Sequence, residues 1–123
     1  MISIYLQELA ASQIVTVLVP LTALDYLTGF CAASVTKELS SKIGSKGLFK
    51  KIMLYLGIMA IAVIQQALPD LPWLLQTFIM FFILNEGLSI LENLDRAGVK
   101  LPSVVVNALI TKKDQLDEPT KKE

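Results

Sequence analysis

The 22-residue stretch Ile14–Val35 is apolar except for three threonines, Ser34 and a single charge, Asp25, at its centre; no other charge falls between Glu8 and Lys37. As a helix rising about 1.5 Å per residue it covers roughly 33 Å, enough to cross a hydrocarbon core of about 30 Å. Its ten Leu, Ile, Val and Phe residues favour insertion by roughly 3 to 6 kcal/mol, and a central Asp opposes it by about 3. Insertion of this helix alone is therefore marginal. A carboxylate near mid-membrane is a functional candidate, and its natural partners are other helices or water.

The rest of the chain has the same character. With 54% hydrophobic residues and a mean hydropathy of +0.60, its 123 residues are too greasy for an ordinary soluble domain and suit one small integral-membrane domain over 1–110. The net charge of zero conceals an asymmetry: all 11 Lys and Arg residues lie between Lys37 and Lys122, with none in 1–36 or 52–95. Lys37, Lys42, Lys46, Lys50 and Lys51 crowd the segment after the first span and the rest follow the last apolar stretch, so both segments are expected in the cytoplasm.

A second apolar run covers 52–68 and ends at Pro69-Asp70-Leu71-Pro72, where two prolines mark a tight turn. A third run, 71–91, is long enough to span, although Gln76, Asn85 and Glu86 interrupt it. The expected fold class is an all-α integral membrane protein with three transmembrane helices, over about 14–35, 52–68 and 71–91. Three spans place the N-terminus outside and the C-terminus inside. A water-soluble bundle is disfavoured because the first two runs offer no continuous polar face.

Short interfacial helices are expected at the two ends. Residues 1–13 have no basic n-region and no clear cleavage site, so the first span reads as uncleaved. Residues 101–110, with three valines, Leu109 and Ile110, are too short to cross and suit the interface. The segment 111–123 mixes lysine pairs with acids and reads as a disordered cytoplasmic tail. Cys31, the single cysteine, sits within the first span, excludes an intramolecular disulfide, and reads as structural.

Two helical faces carry the polar chemistry. Thr22, Asp25, Gly29, Ala32, Ala33 and Thr36 recur at helical spacing on the first span, with Thr28 beside them. Gly29-x-x-x-Ala33 is a small-xxx-small pair that lets membrane helices approach backbone to backbone. On the third span Asn85, Glu86, Ser89, Glu92, Asn93 and Arg96 form a second stripe. For Glu92, Asn93 and Arg96 a solvated helix end is the simpler account. Glu86, about a turn inside the membrane, is expected to pair there or face a lumen. Lys42, Lys46, Lys50 and Lys51 are expected to anchor the second span at anionic headgroups, each contributing about 1 kcal/mol.

Neutralising an Asp of ordinary pKa near 3.9 at pH 7 costs about 4 kcal/mol, whereas a lone ionised carboxylate in hydrocarbon costs far more. Assembly that hides both stripes from lipid is therefore favoured, and a homo-oligomer whose stripes meet or line a hole is expected. Nothing points to catalysis: there is no His, no second Cys and no ligand cluster of usable spacing. The glycines and lysines of 41–47 lack the spacing and preceding strand of a phosphate loop. No enzyme activity, cofactor, metal or nucleic-acid partner is expected; the lipid bilayer and further copies of the chain are.

Four ordered blocks suggest a family. Asp25-x-x-Thr28-Gly29, Ser41-x-x-Gly44-x-x-Gly47-Leu48-x-x-Lys51, Asn85-Glu86-x-x-Ser89-Ile90-x-Glu92-Asn93 and Gly98-x-x-x-Pro102 resemble the toxin-secretion/phage-lysis holins over about residues 24–110. The resemblance implies a small protein of the bacterial inner membrane that accumulates late in phage infection and abruptly opens lesions. It implies release of a cell-wall hydrolase (endolysin), or in some relatives a toxin, as a functional rather than a directly bound partner. The resemblance also brings, in many holins, a second start codon a few residues in that gives an inhibitor; here the next methionine is Met53, so that device is not expected. The residues named on the two stripes are then the candidate oligomerisation and pore-lining set. The alternative is a small proton-coupled transporter or ion-channel subunit, since intramembrane carboxylates also relay protons. A purely structural membrane scaffold is a third, weaker option. The size of what permeates separates them: folded protein, a small solute, or nothing.

Overall fold

A computed structural model describes residues 2–38 and 41–117, and every described element is helical. The first is a long rod: α1 (Ile2–Gln13), one π-helical turn (Ile14–Leu18) and α2 (Val19–Val35) follow one another without a break. Pro20 explains the π turn. Its ring lacks an N–H and would collide with the carbonyl four residues back, and widening the preceding turn relieves that contact. The amide of Val19 accordingly reaches Ile14 O, five residues back. The N-terminal segment is thus not a separate interfacial helix but the upper part of the first rod, whose membrane-capable length is Gln7–Val35.

α2 stops at Val35 in a reverse turn in which Glu38 N–H bonds Ala33 O at 2.8 Å and Lys37 takes the left-handed φ of 62°. That is the conformation usually given to glycine, and here lysine bears the strain. α3 (Ser41–Gln66) returns, and α4 (Leu74–Arg96) runs parallel to the first rod. Gln65 staples the connection between them. Its amide donates to Pro72 O at 3.2 Å, and its Oε1 accepts the Leu75 N–H at 2.6 Å, satisfying an otherwise orphaned donor in the first turn of α4. α4 ends at Gly98, whose φ of 98° suits glycine, with Val99 N–H on Leu94 O at 2.9 Å. Pro102 then precedes α5 (Ser103–Asp117). α5 runs seven residues past the interfacial helix expected over 101–110 and takes in the first part of the segment expected to be disordered; the remainder, 118–123, lies outside the described residues.

Ala10, Leu18, Leu54, Ile58, Leu75 and Ile79 form the core, with Tyr55, Phe78 and Phe82 packed against it. Phe78 and Phe82 meet edge to face with ring centroids 4.7 Å apart. The outside is apolar as well: Val15, Leu27, Phe30, Met53, Met59 and Val63 are all more than half exposed. A surface of that kind is matched by lipid tails, not by water. Three helices, Gln7–Val35, Gly44–Gln66 and Leu74–Arg96, are long and apolar enough to span a membrane.

Candidate functional site: a buried ion triad joining three spans

Asp25, Lys51 and Glu86 come from α2, α3 and α4. Each stands ten residues from the lysine-rich end of its helix, counted from Val35, Ser41 and Arg96, which is about 15 Å in. The ammonium of Lys51 pairs closely with Asp25 Oδ2 and lies 2.6 Å from Glu86 Oε1. Both acids are buried, Asp25 at 7% and Glu86 at 4% exposure. Charge-assisted hydrogen bonds of this kind are about twice as strong as neutral ones, and in a low-dielectric setting they are the condition for burying a charge at all.

Asn93 completes the arrangement from α4. Its Nδ2 reaches Asp25 Oδ1 at 3.0 Å, Asp25 O at 3.1 Å and Thr28 Oγ1 at 3.0 Å. Thr28 in turn donates to Leu24 O at 2.7 Å. Gly29 faces this contact: a Cβ there would stand 3.4 Å from Asn93 Nδ2, an ordinary van der Waals distance, so the site has room for a methyl group but not for a larger side chain. One turn further along, Thr22 Oγ1 and Tyr55 Oη share a hydrogen bond of 2.9 Å. On the lysine-rich side Tyr26 donates to Gly44 O at 3.4 Å.

Beside the triad a cleft of about 900 Å³ opens between α2, α3 and α4. Asp25, Lys51, Glu86 and Ser89 line its depth; Lys46, Lys50 and Arg96, all exposed, line its mouth. Exposed Glu38 also lines the cleft beside these cations, and in the depth the two acids share the Lys51 ammonium.

Several expectations change here. Lys51 was grouped with the headgroup-anchoring lysines, but its ammonium turns inward, because on α3 it points about 100° away from exposed Lys50. Lys46 and Lys50 stay exposed, and the Lys42 side chain lies outside the described residues. The two polar stripes were expected to need other copies of the chain for shelter. Instead Thr22, Asp25, Thr28, Gly29, Glu86 and Asn93 meet one another, or Tyr55 and Lys51, within one subunit. Ala33 is also buried. Glu92 is exposed and does not join the cluster, and Asn85 turns partly toward α5, accepting from Lys113 Nζ at 2.9 Å. Tyr55, Gln65 and Lys113 had no place in the expected set, and Lys51 stood in it only as a headgroup anchor. For Lys51 the signal was present: it is the base nearest the apolar run 52–68, and two acids at similar depth lacked a partner.

Three apolar helices with exposed greasy flanks, tied internally by an ion triad, define a small multi-span membrane protein. The chain belongs to the bacteriophage holin family, which matches residues 6–114. That confirms the resemblance carried by the four motif blocks. A probable holin of Bacillus phage phi105 is 36% identical over 105 residues, covering 84% of this chain and 76% of its own. An uncharacterized protein of Clostridium perfringens is 40% identical over 97 residues, covering 78% of this chain and 71% of its own. One of Listeria monocytogenes is 37% identical over 97 residues, covering 79% and 69%. No solved structure matches the chain. Holins are a non-enzymatic class of membrane protein.

Proposed function

We propose that copies of this chain assemble in the bacterial inner membrane, N-terminus outside and C-terminus in the cytoplasm, and open non-specific lesions that release an endolysin or a toxin. The orientation follows from Lys37, Lys42, Lys46 and Lys50 around the α2–α3 turn and from Arg96 and Lys100 at the end of α4, which would then face the cytoplasm. The observation that carries the reading is the Asp25–Lys51–Glu86 triad. It lets the three spans of one subunit cross lipid with their own charges hidden. Thr28, Gly29 and Asn93 support the triad by holding α2 on α4.

In this reading the triad is an interhelix lock, and its integrity governs how subunits assemble and when a lesion opens. The released enzyme is not bound; it passes because the hole is wide. The test is inducible expression in a bacterium, alone and with a cytoplasmic muralytic enzyme, while following escape of a folded cytoplasmic reporter protein. Abrupt growth arrest, enzyme-dependent lysis and escape of the reporter are expected. Leakage restricted to protons or small ions would overturn the reading in favour of a channel or transporter.

A further inference from the structure

The face of α4 opposite Glu86 carries a polar helix. α5 lies antiparallel to α4: a Cβ at Gly87 would meet Leu109 Cδ1 at 3.8 Å. One turn further on, Lys113 Nζ sits 2.9 Å from Asn85 Oδ1 and 5.5 Å from the centre of the Phe81 ring. Val106, Leu109, Lys113 and Leu116 are half-buried along this seam, at the 3-4-3 spacing of one helical face. Asn107, Thr111, Asp114 and Gln115 occupy the opposite face and are exposed.

Phe81 is only seven residues from Leu74 but fifteen from Arg96, so Lys113 lies more than halfway along α4, toward the proline turn. Any bilayer that α4 spans has its hydrocarbon at that depth. Lipid tails exclude an exposed Asp114, Lys112 or Asp117 there, whereas water accepts them. Asp25 and Glu86 cannot supply the wet surface while Lys51 holds them inside the subunit.

We infer that docked α5 lines the aqueous lumen of the lesion, its Asn107–Thr111–Asp114–Gln115 face turned to water and its Leu109–Lys113 seam held on α4. The inference rests on the lesion reading above and moves the water-lined surface from the α2 and α4 stripes to α5. α4 then separates two environments, dry toward the triad and wet beyond α5.

The test uses the full chain in a Cys31→Ser background, reconstituted in vesicles that hold a fluorescent protein. Gly87→Cys and Leu109→Cys are introduced together and joined by a short bis-maleimide, which fixes α5 on α4. The joined protein is expected to release the fluorescent protein as the unjoined control does. Separately, Thr111→Cys and Gln115→Cys are expected to react with a membrane-impermeant thiol reagent at least about tenfold faster once release begins, since only a hydrated thiol ionises and reacts. Normal release by the unjoined control with none from the joined protein would overturn the inference, because α5 would then have to leave α4. Equal labelling before and after release would overturn it as well. If the unaltered chain releases no protein at all, the lesion reading itself fails, and the joined protein is not needed to see it.

Discussion

Replacing Lys51 with Met keeps most of the side-chain stem and deletes the one cation shared by two buried carboxylates. The side chains of Asp25 and Glu86 are 8% and 5% exposed, and both contact the same nitrogen, so their oxygens lie within about 5 Å of each other. Two unscreened negative charges at that distance repel by about 3 kcal/mol at an effective dielectric of about 20. Breaking a buried pair by removing one partner costs about 3 to 5 kcal/mol in general, and Lys51 is itself 19% exposed, which places the expectation at the lower end of that range. Reversible unfolding of the full chain in mixed micelles, followed by circular dichroism, measures the loss. The companion variant carries Lys51→Met with Asp25→Asn and Glu86→Gln. It removes the stranded charges along with the cation and is expected to recover to within about 1 kcal/mol of the parent, because the three sites form one network and their effects do not add. A Lys51→Met protein within about 0.5 kcal/mol of the parent would refute the claim that this ammonium holds the spans together. So would a triple variant as unstable as the single one.

Three further outcomes follow from the same geometry. Asp25→Leu removes an acid that weakens insertion by about 3 kcal/mol, so membrane insertion should improve while lysis in an inducible assay is abolished or badly mistimed; normal timing would remove Asp25 from the mechanism. A Cβ at Gly29 would stand an ordinary 3.4 Å from the Asn93 amide, so Gly29→Ala should cost less than about 1 kcal/mol in the same micelle assay, whereas the branched end of Gly29→Leu must displace Asn93 and should cost about 1 to 3. Lys37→Gly relieves the left-handed φ of 62° at the end of α2 and should raise stability by about 0.5 to 1 kcal/mol; an unchanged or lower value would show that the turn carries no strain.

The spans were legible because hydrocarbon thickness fixes their length and composition together, and the turn after α3 because Pro69 and Pro72 forbid a continuous helix. Gly98 and Pro102, which entered only as a motif block, bound the break between α4 and α5 for the same kind of local reason. What composition hides is direction around a helix. Lys50 and Lys51 are neighbours in sequence and read alike as surface lysines, yet one faces out and the other closes the triad. α5 was cut short at 110 because Thr111 to Asp117 look like a soluble tail. The spacing of Val106, Leu109, Lys113 and Leu116 already describes a helix face that continues through them. α1 was separated from the first span at Ile14, although nothing between Gln7 and Gln13 breaks a helix. The pairing of Asp25 with Glu86 through a third helix could not be read from any one segment, since it depends on how three rods come together.

Asn85 and Glu86 are adjacent in sequence and point about 100° apart on α4, and the two belong to different polar systems. Glu86 is sealed with Lys51 and Asp25, and Asn85 accepts from Lys113 on α5. Because the two systems share a helix but no side chain, they are separable by mutation. Loss of Lys51 should loosen the packing of α3 against α2 and α4 without freeing α5, and loss of Lys113 should free α5 while leaving the three spans as stable as before. That separation matters for a lesion wall, which has to keep its lipid-embedded part dry while presenting a polar surface to water. A single stripe of polar residues cannot meet both demands at once. Two systems on different faces of one helix can, and the junction between them falls at the Asn85–Glu86 peptide.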